Sequence, residues 1–135
     1  MTTDTDKPGA REILVVDDDP SNRKLLDTLL RHEGYAVTSA ASGAAALAAV
    51  AIRPPDLILL DLMMPDMDGF DVVRRLRASP ETSSVPVVMV TALNDDASRL
   101  RLAAAGVDRL IVKPVDRWEL KKCIESLLGA GKGEQ

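Results

Sequence analysis

The 135-residue chain has one cysteine, Cys123, and one histidine, His32. A single thiol excludes an internal disulfide, and one thiol with one imidazole falls short of a zinc ligand set. Basic residues are outnumbered, 17 Lys and Arg against 21 Asp and Glu, which leaves a net charge of −4 and a pI near 5.0. That balance argues against gripping nucleic acid through phosphate contacts. No run approaches the roughly 18 consecutive apolar residues of a membrane span. The polar stretch from Met1 to Ala10 has no apolar stretch of the kind a secretion signal needs. The G-x-x-x-x-G-K phosphate loop is also missing, which excludes that class of nucleotide-binding enzyme.

What remains is a soluble, cytoplasmic single domain of ordinary composition, 46% hydrophobic and 28% charged, long enough to bury a core. Residues 1–10 read as a disordered lead-in, residues 11–129 as the domain, and residues 130–135 as a frayed tail.

Within the domain a short apolar stretch and an amphipathic stretch alternate five times. The apolar stretches are Ile13 to Val16, Tyr35 to Ser39, Leu57 to Leu60, Val85 to Val90 and Arg109 to Val112. Continuous apolar runs bounded by turn residues are the pattern of strands buried on both faces, whereas the mixed second stretch reads as an edge. Helix signals follow each one. Asp19 precedes Pro20, Ser42 opens an alanine-rich segment stopped by Pro54-Pro55, and Met67 or Asp68 begins a third helix. Asn94 or Asp95 opens the fourth, and Asp116 with Glu119 forms a capping box for the fifth. The spacing predicts buried stripes of Leu25, Leu26, Leu29 and Leu30 in the first helix, Val72, Val73 and Leu76 in the third, and Leu100 and Leu102 in the fourth. The last helix carries Leu120, Cys123, Ile124, Leu127 and Leu128. Strict strand–helix alternation predicts a parallel sheet with helices on both faces, a doubly wound α/β domain.

In such a sheet the strand ends share one edge, where open α/β domains bind their ligands. Asp17, Asp18 and Asp19 follow the first strand, Asp61 the third, Thr91 the fourth and Lys113-Pro114 the fifth. Clustered carboxylates suit Mg2+, a hard cation that prefers oxygen ligands. A lysine and a threonine beside it supply a charge and a donor for phosphoryl oxygens. A carboxylate between them can act as the nucleophile and form an aspartyl phosphate.

Four segments together carry a family resemblance: Ile13-Leu14-Val15-Val16-Asp17-Asp18-Asp19, the stretch from Asp61 through Pro65-Asp66-Met67-Asp68-Gly69, Val90-Thr91-Ala92, and Lys113-Pro114. The chain resembles the receiver domain of two-component response regulators from Glu12 to about Leu128. The resemblance implies a five-stranded parallel sheet in the order 2-1-3-4-5 with five helices, the flavodoxin/CheY-like arrangement. It also implies that Asp61 is the phosphoacceptor, that Asp18 ligates Mg2+ directly and Asp17 through water, and that the Met63 backbone carbonyl completes the protein's share of the metal shell. Mn2+ would serve in the same place. By the same resemblance Thr91, Lys113 and the Ala92 backbone N–H contact the phosphoryl group, and the Lys113-Pro114 bond is cis.

The implied function is acceptance of a phosphoryl group from a sensor histidine kinase or a histidine phosphotransfer protein, which shifts the domain between inactive and active states. The domain catalyses its own phosphorylation and dephosphorylation as a switch, not as a metabolic enzyme. The implied partners are that kinase and a downstream effector or an output domain, with a phosphorylation-dependent homodimer and no direct contact to nucleic acid or membrane. The competing reading is an interaction module that keeps the fold and signals without phosphate. An aspartate-nucleophile phosphatase would want a carboxylate where Met63 stands. A flavin-binding flavodoxin would want a Ser/Thr/Gly loop where the three aspartates stand.

The chain departs from the family pattern at Leu110, three residues before the lysine, where an aromatic ring is usual, and at Val115, where Phe is frequent. The chemistry is untouched by either, but the readout is expected to be weaker or to run through the fourth helix. Met63 and Leu93, two residues after Asp61 and Thr91, cannot hydrogen-bond an attacking water, which predicts a long-lived phosphoryl-aspartate. Asp19, Asp66 and Asp68 read as turn and cap residues, His32 as a surface residue and Cys123 as core. The cluster of Met63, Met64 and Met67 reads as loop packing.

Overall fold

The computed structural model describes residues 10–92 and 95–129. Its elements alternate as β1 (Glu12–Val16), α1 (Pro20–His32), β2 (Ala36–Ala40), α2 (Gly43–Ile52), β3 (Leu57–Asp61), α3 (Gly69–Ala78), β4 (Val87–Thr91), α4 (Asp96–Ala104), β5 (Arg109–Val112) and α5 (Arg117–Leu128). The five strands form one parallel sheet in the order β2-β1-β3-β4-β5, as expected. The expected lead-in up to residue 9 and the tail over residues 130–135 lie outside the described residues.

Strand side chains alternate between faces. Leu14, Val16, Ile58, Leu60, Val87 and Met89 therefore pack with Ala46 and Val50 of α2, with Val72, Val73 and Leu76 of α3, and with Leu102 of α4. Ile13, Val15, Leu57, Leu59, Val88 and Val90 pack on the other face with Leu26 and Leu30 of α1 and Leu120 and Ile124 of α5. Every residue of β3 and β4 is buried, while β2 and β5 at the sheet edges are mixed, which is why only the central strands read as unbroken apolar runs. Each such Leu, Ile or Val contributes about 1.5–3 kcal/mol by leaving water.

The caps are local. Asp19 accepts from Ser21, Ser42 from Ala45, Asp68 from Asp71, Asp95 from Ser98 and Asp116 from Glu119, all backbone N–H groups. Two stripes differ from expectation. Leu25 is 51% exposed because it sits at the margin of a face centred on Leu26 and Leu30. Leu100 is 73% exposed, since residues two apart on a helix cannot share a face with each other, and Leu102 is the one that α4 buries. Strand four begins at Val87 instead of Val85. Pro86, which has no N–H, lies just outside it and accepts from the Ile58 N–H at 3.0 Å. Strand two likewise begins one residue late, with Tyr35 buried ahead of it.

Candidate functional site

β1 ends at Val16, but its ladder continues one step: the Asp17 N–H donates to the Ala40 carbonyl at 3.1 Å. The Asp17 carboxylate then accepts from the Asp19 N–H at 2.9 Å, and Arg23 donates to the Asp17 carbonyl at 2.8 Å. This turn drives the chain into α1 and leaves Asp17 buried with Asp18 exposed beside it. Asp61 is the last residue of β3, opposite Val90 of β4, and only 4% exposed. Carboxylate oxygens of Asp17, Asp18 and Asp61 all lie within 4.8 Å of one another.

The opposite wall is made by β4 and β5. Thr91, 1% exposed, ends β4, and its carbonyl accepts from the Lys113 N–H at 2.9 Å. The Lys113-Pro114 peptide is cis. Lys113 Nζ stands 3.5 Å from Asp61 Oδ1, an ion pair at the long end of hydrogen-bond reach. The Met63 N–H donates to the same oxygen at 3.3 Å. Burial pushes the Asp61 carboxyl above its ordinary range; Lys113 opposes the rise, Asp17 adds to it, and the Met63 N–H opposes it.

Asp17, Asp18, Asp61, Met63, Thr91, Ala92 and Lys113 all border one cleft of about 390 Å³. The tertiary structure thus brings together the site residues singled out from the sequence that lie among the described residues; Leu93 is not one of these. Asn22, on the first turn of α1, also borders it and was missed, because nothing but its place three residues after Asp19 marks it. Among the described residues the three clustered carboxylates face one ammonium, that of Lys113, which leaves two negative charges unmatched. At such spacing each carboxylate pair repels by about 3 kcal/mol for an effective dielectric near 20. A dense, oxygen-only donor set of this charge fits a hard divalent cation.

Asp19, Asp66 and Asp68 serve as turn and cap residues, as expected. Asp19 and Asp68 cap their own helices, and Asp66 reaches across to accept from the Gly43 and Ala44 N–H groups of α2. His32 is exposed, and Cys123 is half-buried against the α1–α5 core, where burial pushes its thiol up. Met64 and Met67 pack as the loop expectation required, but Met63 does not: its side chain is 64% exposed at the cleft. Leu110 is half-buried against the α2–α3 core, and Val115 packs on the opposite face. Leu93 and Asn94 lie outside the described residues.

A sequence model described as the response regulator receiver domain matches residues 13–125. Over 118 residues the chain is 43% identical to a "Probable transcriptional regulator ycf27" of Cyanophora paradoxa, covering 87% of this chain and 48% of that protein. The chain spans about half the length of the curated relatives it matches, and a quarter of some. Among solved structures, the chemotaxis protein CheY4 of Vibrio cholerae superimposes with a TM-score of 0.84 at 30% identity, covering 87% of this chain and 98% of that one. The receiver domain of the sensor histidine kinase PA1611 of Pseudomonas aeruginosa PAO1 gives a TM-score of 0.82 at 32% identity, covering 89% and 98%. That protein was solved with a magnesium ion coordinated in its active site cleft. Fold, strand-end chemistry and sequence agree, and the chain belongs to the family of response regulator receiver domains.

Proposed function

We propose that this domain accepts a phosphoryl group on Asp61, delivered by a sensor histidine kinase or a histidine phosphotransfer protein. An Asp61 carboxylate oxygen attacks phosphorus, the phosphorus–nitrogen bond of the phosphohistidine breaks, and the imidazole leaves with the electron pair. Asp17, Asp18, Asp61 and the Met63 carbonyl would hold Mg2+, with Mn2+ as a substitute of the same chemistry. When bound, the ion neutralises phosphoryl oxygens and so lowers the cost of bringing a dianion to a carboxylate.

The chain's own residues do the rest. Lys113 supplies the positive charge on the far side of Asp61, and Thr91 with the Ala92 N–H supplies donors for the phosphoryl oxygens. The observation that carries this reading is the set of three carboxylates within 4.8 Å, two of them buried, facing Lys113 at 3.5 Å from Asp61. A merely structural acid cluster would be expensive to keep in that form.

The downstream partner is an effector protein or an output domain, and a phosphorylation-dependent homodimer and a cytoplasmic location belong to the same proposal. No helix among the described residues is long and apolar enough to cross a membrane. The test is incubation with Mg2+ and acetyl phosphate, followed by intact mass. A phosphate adduct on the wild type that is missing from Asp61→Asn is expected. A folded wild type that takes no phosphate from acetyl phosphate or from its kinase would leave the phosphate-independent module as the better reading.

A further inference from the structure

Asp66, five residues after Asp61, is anchored through both of its carboxylate oxygens. Its Oδ1 accepts from the Gly43 N–H at 3.2 Å and its Oδ2 from the Ala44 N–H at 3.1 Å. Ser42 takes the next N–H of α2, that of Ala45, at 3.0 Å. Three donors at the start of α2 are therefore satisfied, two of them by a side chain more than twenty residues away. α2 has no acidic residue in its own first turn, so Asp66 also supplies the negative charge that a helix N-terminus favours. The two surfaces are in close contact: a Cβ on Gly43 would lie 3.0 Å from both Met67 Cβ and Val72 Cγ2.

Asp66 is the tip of the loop that leaves Asp61. The loop is closed at its base by the Gly69 N–H donating to the Leu62 carbonyl at 2.8 Å. Among the described residues Met63, beside Asp61 on the loop, makes one hydrogen bond, at 3.3 Å, and its side chain is exposed. Its placement in the cleft must come from its neighbours' anchors.

We propose that Asp66 is a positioning residue for the acidic cleft: by clamping the tip of the 62–68 loop onto α2, it fixes Met63 beside Asp61 and sets the affinity of the cleft for a divalent cation. This rests on the functional reading above. The carboxyl of Asp66 is held below its ordinary range by the Ala44 and Gly43 N–H groups, so it is fully charged, and the clamp closed, at neutral pH.

The test is a Mg2+ titration followed through the Met63 backbone amide resonance, at a temperature where every variant is folded. Asp66→Ala is expected to weaken Mg2+ about tenfold, the lower end of what loss of an orienting partner costs. Asp66→Asn, which keeps one acceptor oxygen, is expected to lose about threefold, since part of the hydrogen bonding survives. Ser42→Ala removes a cap from the same helix without touching the loop, so it should lower the melting temperature and leave Mg2+ affinity unchanged.

Wild-type affinity in Asp66→Ala would overturn the proposal, as would an equal loss in Ser42→Ala. If Asp66→Ala does not fold, unchanged affinity in Asp66→Asn overturns it instead. A wild type that binds no Mg2+ overturns the functional reading as well, and that arm alone identifies this failure.

Discussion

Arg77 of α3 donates to the Asp108 carboxylate at 3.1 Å, and the same carboxylate oxygen accepts from the Val87 N–H at 2.8 Å. The guanidinium also donates to the Gly106 carbonyl at 2.8 Å and to the Val85 carbonyl at 2.8 Å. One side chain thus ties the end of α3 to the turn before β4 and to the turn before β5, at the sheet edge opposite the cleft. Because β4 and β5 carry Thr91 and Lys113 at their other ends, this tie keeps the two strands in register for the site. Arg77→Ala is expected to cost about 3 kcal/mol, as for a multiply bonded charged donor, and to lower the melting temperature by roughly 10 °C. Arg77→Lys should recover little, since a compact ammonium lacks the planar, spread fork of donors that reaches both turns. Calorimetry on both variants checks this; a near-wild-type Arg77→Lys would show that charge alone suffices.

Met63 borders the cleft with an exposed thioether that can neither accept from nor donate to water in a fixed geometry. The phosphoryl-aspartate is therefore expected to persist. Introducing a polar side chain by Met63→Asn should hasten loss of phosphate by roughly tenfold, less than a full general base supplies. Decay of the mass adduct measures it, and identical lifetimes for wild type and Met63→Asn would refute the argument.

α4 buries only Leu102, and the Arg101 guanidinium stacks over the Phe70 ring of α3 with its centroid 3.9 Å away. Leu110 of β5, by contrast, is packed against the core without a ring to swing. Upon phosphorylation the largest amide shifts are expected along α4 near Arg101, with small ones at Leu110. Shifts at Leu110 as large as those at Arg101 would show that β5 carries the readout after all.

Asp66 also makes a prediction about pH. Its carboxyl is depressed in the folded state below the ordinary value of 3.8 by N–H groups of α2. A depressed carboxyl contributes stability above its unfolded pKa and loses it as pH falls through the folded one. The urea midpoint of wild type should therefore exceed that of Asp66→Asn at pH 6, and the gap should close as pH drops from about 5 to below the folded value, since unfolded Asp titrates near 3.9. A gap that stays constant down to pH 2.5 would show that the hydrogen bonds, not the charge, matter.

What the sequence determined by itself was everything that depends on neighbours along the chain. Apolar runs of four to six residues marked the central strands, and Asp19, Ser42, Asn94 or Asp95, and Asp116 marked helix starts, because a cap bonds an N–H two or three residues ahead. The alternation of strand and helix then required the strand ends to share an edge, which made Asp17, Asp18, Asp61, Thr91 and Lys113 legible as one group. Only the tertiary structure decided which polar side chains bond across the fold. Asp66 reads as an ordinary turn acid until α2 is placed beside it, and nothing in the sequence singles out Arg77 before the turn ahead of β5 is placed beside α3. Leu25 and Leu100 show the same limit from the apolar side. Leu25 lies at the margin of the face that buries Leu26 and Leu30, and Leu100 lies off the face that buries Leu102, so which leucine a helix buries is decided by where its neighbours pack.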